Sequence, residues 1–335
     1  MTGEWRVAVV IPAYRVRRHI LGVLRDIGPE CAAIYVVDDA CPEQSGELVE
    51  EQCADTRVQV LRHARNGGVG AAMITGYKAA IAGGANLIVK IDGDGQMDPV
   101  DLPRIIAPII QGEADYTKGN RFYSLAHIHR MPRARLIGNA GLSFVTKFSS
   151  GYWDIFDPTN GYTAIHGAVV ELLPLDRVAR GYFFESDMLH HLGIAGAVVR
   201  DVPIDARYGD EASSLNLLSA TVRFSARHAL NTARRLFYNY FLRDFSAASI
   251  ELLLGALLVA FGLIYGATQW ADFSARGVGA YAGTVMLAAL PIILGMQLLL
   301  AFLGFDVSRV PRRPLHPQLL RWRGTERLIQ RQYQR

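Results

Sequence analysis

Apolar and polar positions alternate in blocks along the first hundred residues. Residues 7–11 form an unbroken apolar run that stops at Pro12, the pattern of a strand buried on both faces. Ile20, Leu21, Leu24 and Ile27 then recur at helical spacing. Residues 34–37 predict a second strand ending at Asp38-Asp39, and residues 46–52 a helix. A third strand is predicted at 58–61, a helix at 71–82 and a fourth strand at 87–91, ending at Asp92. Strands alternating with helices predict an α/β domain with a mostly parallel sheet covered on both faces. Ligands of such sheets bind at the carboxyl ends of the strands.

The pattern changes completely near the end of the chain. Residues 252–271 carry no charge over 20 positions, and residues 277–305 carry none over 29. About 20 apolar residues suffice to cross a bilayer as a helix, so the two stretches predict a transmembrane hairpin with its turn at residues 272–276. Pro291 is tolerable in such a span where neighbours satisfy the freed carbonyl. Upstream, Leu218, Val222, Leu230, Ala233, Phe237, Tyr240 and Phe241 recur at near-helical spacing among arginines. This predicts amphipathic helices lying on an anionic membrane surface, or a surface helix packed on the globular domain.

Charge sharpens the division. Residues 1–215 have a net charge of −5 and residues 216–335 a net charge of +9, although the whole chain carries only +4. Arg223, Arg227, Arg234, Arg235 and Arg243 precede the first span, eight arginines follow the second, and Arg276 alone lies between. The positive-inside rule then places both ends in the cytoplasm. Two adjacent spans account for these arginines without nucleic acid. A mean hydropathy of +0.15 with half the residues apolar excludes a disordered chain. Three cysteines, Cys31, Cys41 and Cys53, lack metal-ligand spacing with histidines and suit a reducing compartment. The N-terminus has no apolar signal core, so the catalytic part is expected in the cytosol. The expected domains are residues 1–215, a juxtamembrane segment 216–245, the hairpin 246–305 and a basic tail 306–335.

Three polar motifs fall at predicted strand ends. Asp38-Asp39 can accept hydrogen bonds from a base or sugar, or cap a following helix. Arg65-Asn66-Gly67-Gly68-Val69-Gly70 brings backbone N–H groups toward an anion at a helix start, but it lacks the third glycine of a dinucleotide fingerprint. Asp92-Gly93-Asp94-Gly95-Gln96 places two carboxylates on one turn. These suit Mg²⁺ or Mn²⁺ bridging to substrate phosphates, or form a solvated acidic turn.

Together with Val9-Val10-Ile11-Pro12-Ala13-Tyr14, these motifs resemble the family 2 glycosyltransferases, which have the GT-A fold. Gln96, Gly119-Asn120-Arg121-Phe122, Asp157-Pro158-Thr159-Asn160-Gly161 and Arg207-Tyr208-Gly209 with Ser213-Ser214 resemble the polyprenyl-phosphate members, including the dolichol-phosphate mannosyltransferases. The resemblance implies that Pro12, Tyr14, Asp38, Asp39, Arg65, Asn66, Gly67 and Asp92 surround a nucleotide-sugar donor. It implies that Asp92, Asp94 and Gln96 hold the metal. It implies that Arg121, Arg135, Asn139, Arg207 and Ser213 face the phosphate of a polyprenyl acceptor, a task that suits the guanidinium fork. Arg135 also reads as an ordinary surface charge. Arg15 and Val16 stand where the family has Asn-Glu, and Ser214 where it has Lys. Glu185-Ser186-Asp187 resembles the acidic pair that supplies a base, here Asp187 or Glu185, in hydroxyl-acceptor members; otherwise the pair orients an arginine or the sugar.

The implied reaction is inverting, metal-dependent transfer of a hexosyl group from a UDP- or GDP-linked sugar to a membrane polyprenyl phosphate. The alternatives are a hydroxyl acceptor and a non-catalytic scaffold that only binds nucleotide. Homo-oligomerisation is left open.

Overall fold

The computed structural model describes residues 5–123, 133–204 and 217–322; side chains at 133–135, 137 and 217–222 lie outside that description. The chain divides into two compact units, one of Met1–Thr232 with Pro311–Arg335 and the other of Ala233–Val310.

The first unit is built on a seven-stranded sheet. In chain order its strands are β1 (Val7–Ala13), β2 (Cys31–Asp38), β3 (Val58–Arg62), β4 (Leu87–Lys90), β5 (Tyr116–Asn120), β6 (Thr163–His166) and β7 (Val199–Pro203). They lie side by side as β3-β2-β1-β4-β6-β5-β7. Every pairing is parallel except those of β6, which runs against both β4 and β5. Helices α1 (Ile20–Asp26), α2 (Ser45–Gln52), α3 (Val69–Ala82) and α4 (Leu102–Ile110) supply the crossovers of the first half. Helices α5 (Arg133–Ser150), α6 (Gly167–Val170), α7 (Phe184–Ala195) and the start of α8 (Leu217–Phe237) complete the unit.

The apolar runs become strands because both faces of the sheet are covered. Val9, Ile11, Ile34, Val36 and Val89 are fully buried, and α4 turns Leu102, Ile105, Ile106 and Ile109 onto the same core. Each such side chain contributes about 1.5–3 kcal/mol by leaving water. Helix α3 lies so close to β1 that a Cβ at Gly76 would collide with Val10.

Residues 311–322 return to this unit rather than forming a separate tail. Asp115, fully buried before β5, accepts hydrogen bonds from Leu315 N (2.8 Å), His316 N (2.9 Å) and Val198 N (2.8 Å), and pairs with His316 Nδ1 at 2.9 Å. The His316 ring stacks on His166 at 4.4 Å.

The second unit holds the two long apolar helices, α9 (Ala247–Arg276) and α10 (Ala282–Ser308). The turn lies after the residues that charge alone suggested. Residues 272–276 stay helical, and the break comes at Gly277, whose φ of 64° ends α9 in the left-handed region. The helices touch through small residues: Gly255 against Gly295, and Gly262 against Ala288 and Ile292. Their outer faces, with Leu253, Leu257, Phe261, Ile264, Leu287, Leu290 and Ile293, are exposed. At the base, Arg235 grips Asp306 through two bonds of 2.7 and 3.0 Å, and the Tyr240 hydroxyl donates to the same carboxylate at 2.6 Å.

The Asp115 knot yields a stability prediction. Burial opposes the Asp115 charge, but donors from His316, Leu315 and Val198 outweigh it and hold the carboxyl below its ordinary value. Its contribution is therefore present above the unfolded carboxylate pKa of about 3.9 and is lost as pH falls toward the folded value. Asp115→Ala leaves these donors buried without an acceptor and should cost about 3 kcal/mol. Thermal melting of the detergent-solubilised chain checks this, together with faster trypsin cleavage after Arg312.

Candidate active site

The carboxyl ends of β1, β2, β3 and β4 bring the Pro12–Tyr14 segment and the three polar motifs to one edge of the sheet. Pro12 is partly buried near the end of β1, and Tyr14 beyond it is exposed, with the Arg15 guanidinium 5.5 Å above its ring. Arg15 turns the chain with a φ of 58°, and its N–H donates to Cys41 Sγ at 3.0 Å. Burial pushes the Cys41 thiol up, but hydrogen bonds with Ser45 and Arg15 N–H pull it below its ordinary value.

Both members of the Asp38-Asp39 pair are buried and bonded within the chain. Asp38 accepts from Cys41 N and Gly46 N, each at 2.7 Å, and so shapes the entry to α2. Asp39 accepts from Gly67 N at 2.8 Å and Gly68 N at 2.7 Å. The glycine loop thus turns its N–H groups onto Asp39, and the anion it binds here is a side chain. Gly68 has a φ of 90°, which suits glycine at this turn. Arg65 and Asn66 at the loop tip are exposed.

Beyond β4, Asp92 and Asp94 part company. Asp92 Oδ1 lies 2.7 Å from the Nζ of Lys90, a buried side chain that also meets Glu185 Oε1 at 3.1 Å. Burial works against the Lys90 charge, but the two carboxylates outweigh it and raise its pKa. Burial pushes the Glu185 carboxyl up, with Lys90 opposing. Gly161 seals this group, because a Cβ there would strike Lys90 Nζ and Asp92 Oδ2. Asp94 is partly exposed on the turn, and its Oδ1 accepts from Gln96 N at 2.9 Å. Gly95 makes that turn with a φ of 77°.

The described residues contain no cluster of three histidine, cysteine or carboxylate side chains able to cage a metal. Asp92, Asp94 and Gln96 still supply hard oxygen donors on one turn. Mg²⁺ typically uses one or two carboxylates plus substrate phosphates, and this donor set fits that mode.

Two sequence expectations meet different geometry. Arg121 was expected to face a phosphate, but its Nε and Nη2 each donate to Asp157 at 2.8 Å. Asp157 is buried with a φ of 53°; burial raises its pKa, Arg121 lowers it, and the lowering prevails. Asp187 was a candidate base, but it accepts from Ala179 N and Asn231 Nδ2, each at 2.8 Å. Asn139 is partly buried on α5, which also carries Arg135; the Arg135 side chain, Arg207 and Ser213 lie outside the described residues. A cavity of about 610 Å³ is lined by Asn120, Phe122, Leu136, Asp154, Phe156 and Asp201.

Sequence reasoning missed Lys90 and His63. Lys90 had a signal: it is the one charge in an apolar strand pattern, and a lysine there needs a counter-ion. Lys90→Met should leave the largely buried Glu185 without a cation and Asp92 without its partner, and cost about 3–5 kcal/mol. Glu185→Gln in the same background should recover part of the melting temperature, which denaturation of both variants measures.

The family model for glycosyl transferase family 2 matches residues 8–173. The UDP-N-acetylglucosamine–dolichyl-phosphate N-acetylglucosaminyltransferase of Methanococcus voltae is 29% identical over 60% of this chain and 86% of its own length. The polyprenol monophosphomannose synthase of Mycolicibacterium smegmatis is 30% identical over 59% of this chain and 76% of its own. The undecaprenyl-phosphate mannosyltransferase of Micrococcus luteus is 30% identical over 59% and 82%. Among solved structures, glucosyl-3-phosphoglycerate synthase from Mycobacterium tuberculosis, in complex with Mn²⁺, UDP-glucose and phosphoglyceric acid, shares the fold. Its TM-score is 0.51 at 17% identity, covering 69% of this chain and 80% of that one. The strand-end carboxylates thus sit in a GT-A-like sheet, and the chain belongs to glycosyl transferase family 2.

Proposed function

We propose that this glycosyltransferase moves a hexosyl group from a UDP- or GDP-linked sugar to a membrane polyprenyl phosphate. The observation that carries the reading is the state of the acidic pair on α7. Glu185 is tied to Lys90 and Asp187 to Ala179 N and Asn231, so both carboxylates already serve as internal partners and not as a free base for a hydroxyl acceptor. A phosphate acceptor is already anionic and needs no such base. Relatives named for transfer to dolichyl, polyprenol and undecaprenyl phosphates support the same acceptor class.

In this reading the nucleotide lies over the ends of β1 and β2, against Pro12, Tyr14, Asp38, Asp39 and the loop of Arg65, Asn66 and Gly67. Asp94, with Gln96 and Asp92, would hold a divalent ion. Such an ion offsets charge on the departing diphosphate. An acceptor phosphate oxygen attacks the anomeric carbon as the bond to the diphosphate breaks, and a single displacement inverts that centre. Arg135, Asn139, Arg207 and Ser213 orient the acceptor phosphate. Arg121 is aimed by Asp157 rather than free to swing.

The hairpin supports a lipid acceptor. Helices of 30 and 27 residues extend about 45 and 40 Å at 1.5 Å per residue, enough to cross a bilayer. Their exposed leucines, isoleucines and phenylalanines form a face far larger than a soluble monomer leaves in water. Trp270 and Tyr281, exposed near the turn, suit a headgroup layer. The chain leaves and rejoins the same unit at Thr232 and Pro311, as two spans require. The arginine bias supports a cytoplasmic catalytic domain (1–215) with both ends on the same side.

Helix α8 adds a surface for the membrane. Its buried stripe is polar, with His228, Asn231 and Arg235, whereas Leu230 and Phe237 are exposed beside Arg223, Arg227 and Arg234. That arrangement suits the juxtamembrane segment (216–245) at a lipid interface.

Membranes holding the protein, incubated with a panel of nucleotide sugars and a short polyprenyl phosphate, should yield one glycosylated lipid by mass spectrometry. Asp94→Ala should lower the rate by about a hundredfold or more. Asp187→Asn should keep most of its turnover once folding is matched. Loss of turnover in Asp187→Asn, with product formed only on a hydroxyl acceptor, would overturn the reading.

A further inference from the structure

The Asp38-Asp39 motif leads to a residue behind it. His63 follows β3, and its backbone N–H donates to Asp38 O at 2.9 Å. Its Nδ1 lies 2.6 Å from Asp39 Oδ1, and its Nε2 lies 2.8 Å from the Thr75 hydroxyl on α3. Asp39 is nearly inaccessible and His63 only partly exposed. Oδ1 of Asp39 therefore meets both Gly67 N and His63 Nδ1, and Oδ2 meets Gly68 N.

This chain of contacts runs in one direction. Thr75, fixed on a buried helix, orients the imidazole. The imidazole orients the Asp39 carboxylate. The carboxylate draws in two successive N–H groups of a loop whose Gly68 has a positive φ. The far side of that loop is held as well: Ala71 N donates to Arg180 O at 3.1 Å, and a Cβ at Gly70 would strike Ala179 O. Arg65 and Asn66 at the exposed tip are thereby carried on a frame with little freedom. A buried carboxylate short of one donor recruits another or turns, and either response shifts the loop.

We propose that His63, held by Thr75, is a positioning residue for the donor nucleotide: it sets the Asp39 carboxylate, which shapes the Arg65–Gly70 loop. The inference rests on the donor site proposed above. It gives Asp39 a second part in nucleotide binding, through the loop, and it separates donor affinity from the acceptor side. Neither His63 nor Thr75 touches substrate in this account.

Full-length protein in detergent, titrated with UDP and with GDP by calorimetry, tests the proposal alongside donor and acceptor kinetics. His63→Ala should weaken the bound nucleotide and raise donor KM by about tenfold, with kcat and acceptor KM within about twofold of the parent. His63→Asn should restore most of the affinity, because an amide nitrogen can replace Nδ1 as donor to Asp39. Thr75→Val keeps the imidazole but frees it, and should raise donor KM by about two- to fivefold. Unchanged nucleotide affinity in His63→Ala with an unaltered melting temperature overturns the positioning role and leaves the donor site standing. If His63→Ala does not fold, unchanged affinity in Thr75→Val overturns it. Failure of the unmodified protein to bind either nucleotide overturns the donor site itself, and this role with it.

Discussion

A charged lysine buried at the end of a central strand constrains everything around the active site. Lys90 has no route to water, so its ammonium must be matched where it stands. Asp92 and Glu185 match it from the next loop and from the first turn of α7. One cation therefore fixes the start of the Asp-x-Asp turn, the seat of α7 and the need for glycine at position 161. Asp94 projects from a turn whose root is anchored by charge, and the Asp157–Asn160–Gly161 segment must approach closely to close the group.

The same economy recurs across the molecule. Asp38, Asp39, Asp115, Asp157 and Asp187 are all buried, and each spends its oxygens on backbone N–H groups or on a side chain of this chain. Part of the acidity of the first 215 residues is thus internal bracing. Charge-assisted bonds of this kind are about twice as strong as neutral ones, and they hold loops that have little apolar surface to bury. The glycine loop after β3 shows the consequence: its N–H groups face an aspartate of the protein, and its exposed tip is what remains for a ligand.

The two-helix unit follows a different rule. Its interior is small residues in close contact, and its outside is large apolar side chains, the reverse of a soluble bundle. Polar bonding is concentrated at one end, where Arg235, Tyr240 and Asp306 form a buried group. Helix α8 is likewise reversed, with a polar stripe inward. Periodicity located its apolar positions, but direction came from His228 and Asn231 finding partners in Ser149 and Asp187.

Sequence alone determined the alternating elements of residues 7–91, the strand-end position of the acidic motifs and the two uncharged spans. It could do so because burial on both faces, and length without charge, leave patterns that are local in the chain. It did not reveal the reversed strand β6, whose four residues are too short to carry a period, nor the turn at Gly277, which a left-handed φ decides rather than a charge. Above all it could not assign work to the carboxylates. Whether an aspartate holds a ligand, a loop or a lysine depends on which donors come within about 3 Å of it. For Asp39, Asp92, Asp157 and Asp187 those donors lie between 2 and 44 residues away, at Lys90, His63, Gly67, Arg121, Ala179 and Asn231. Only the tertiary fold brings them together.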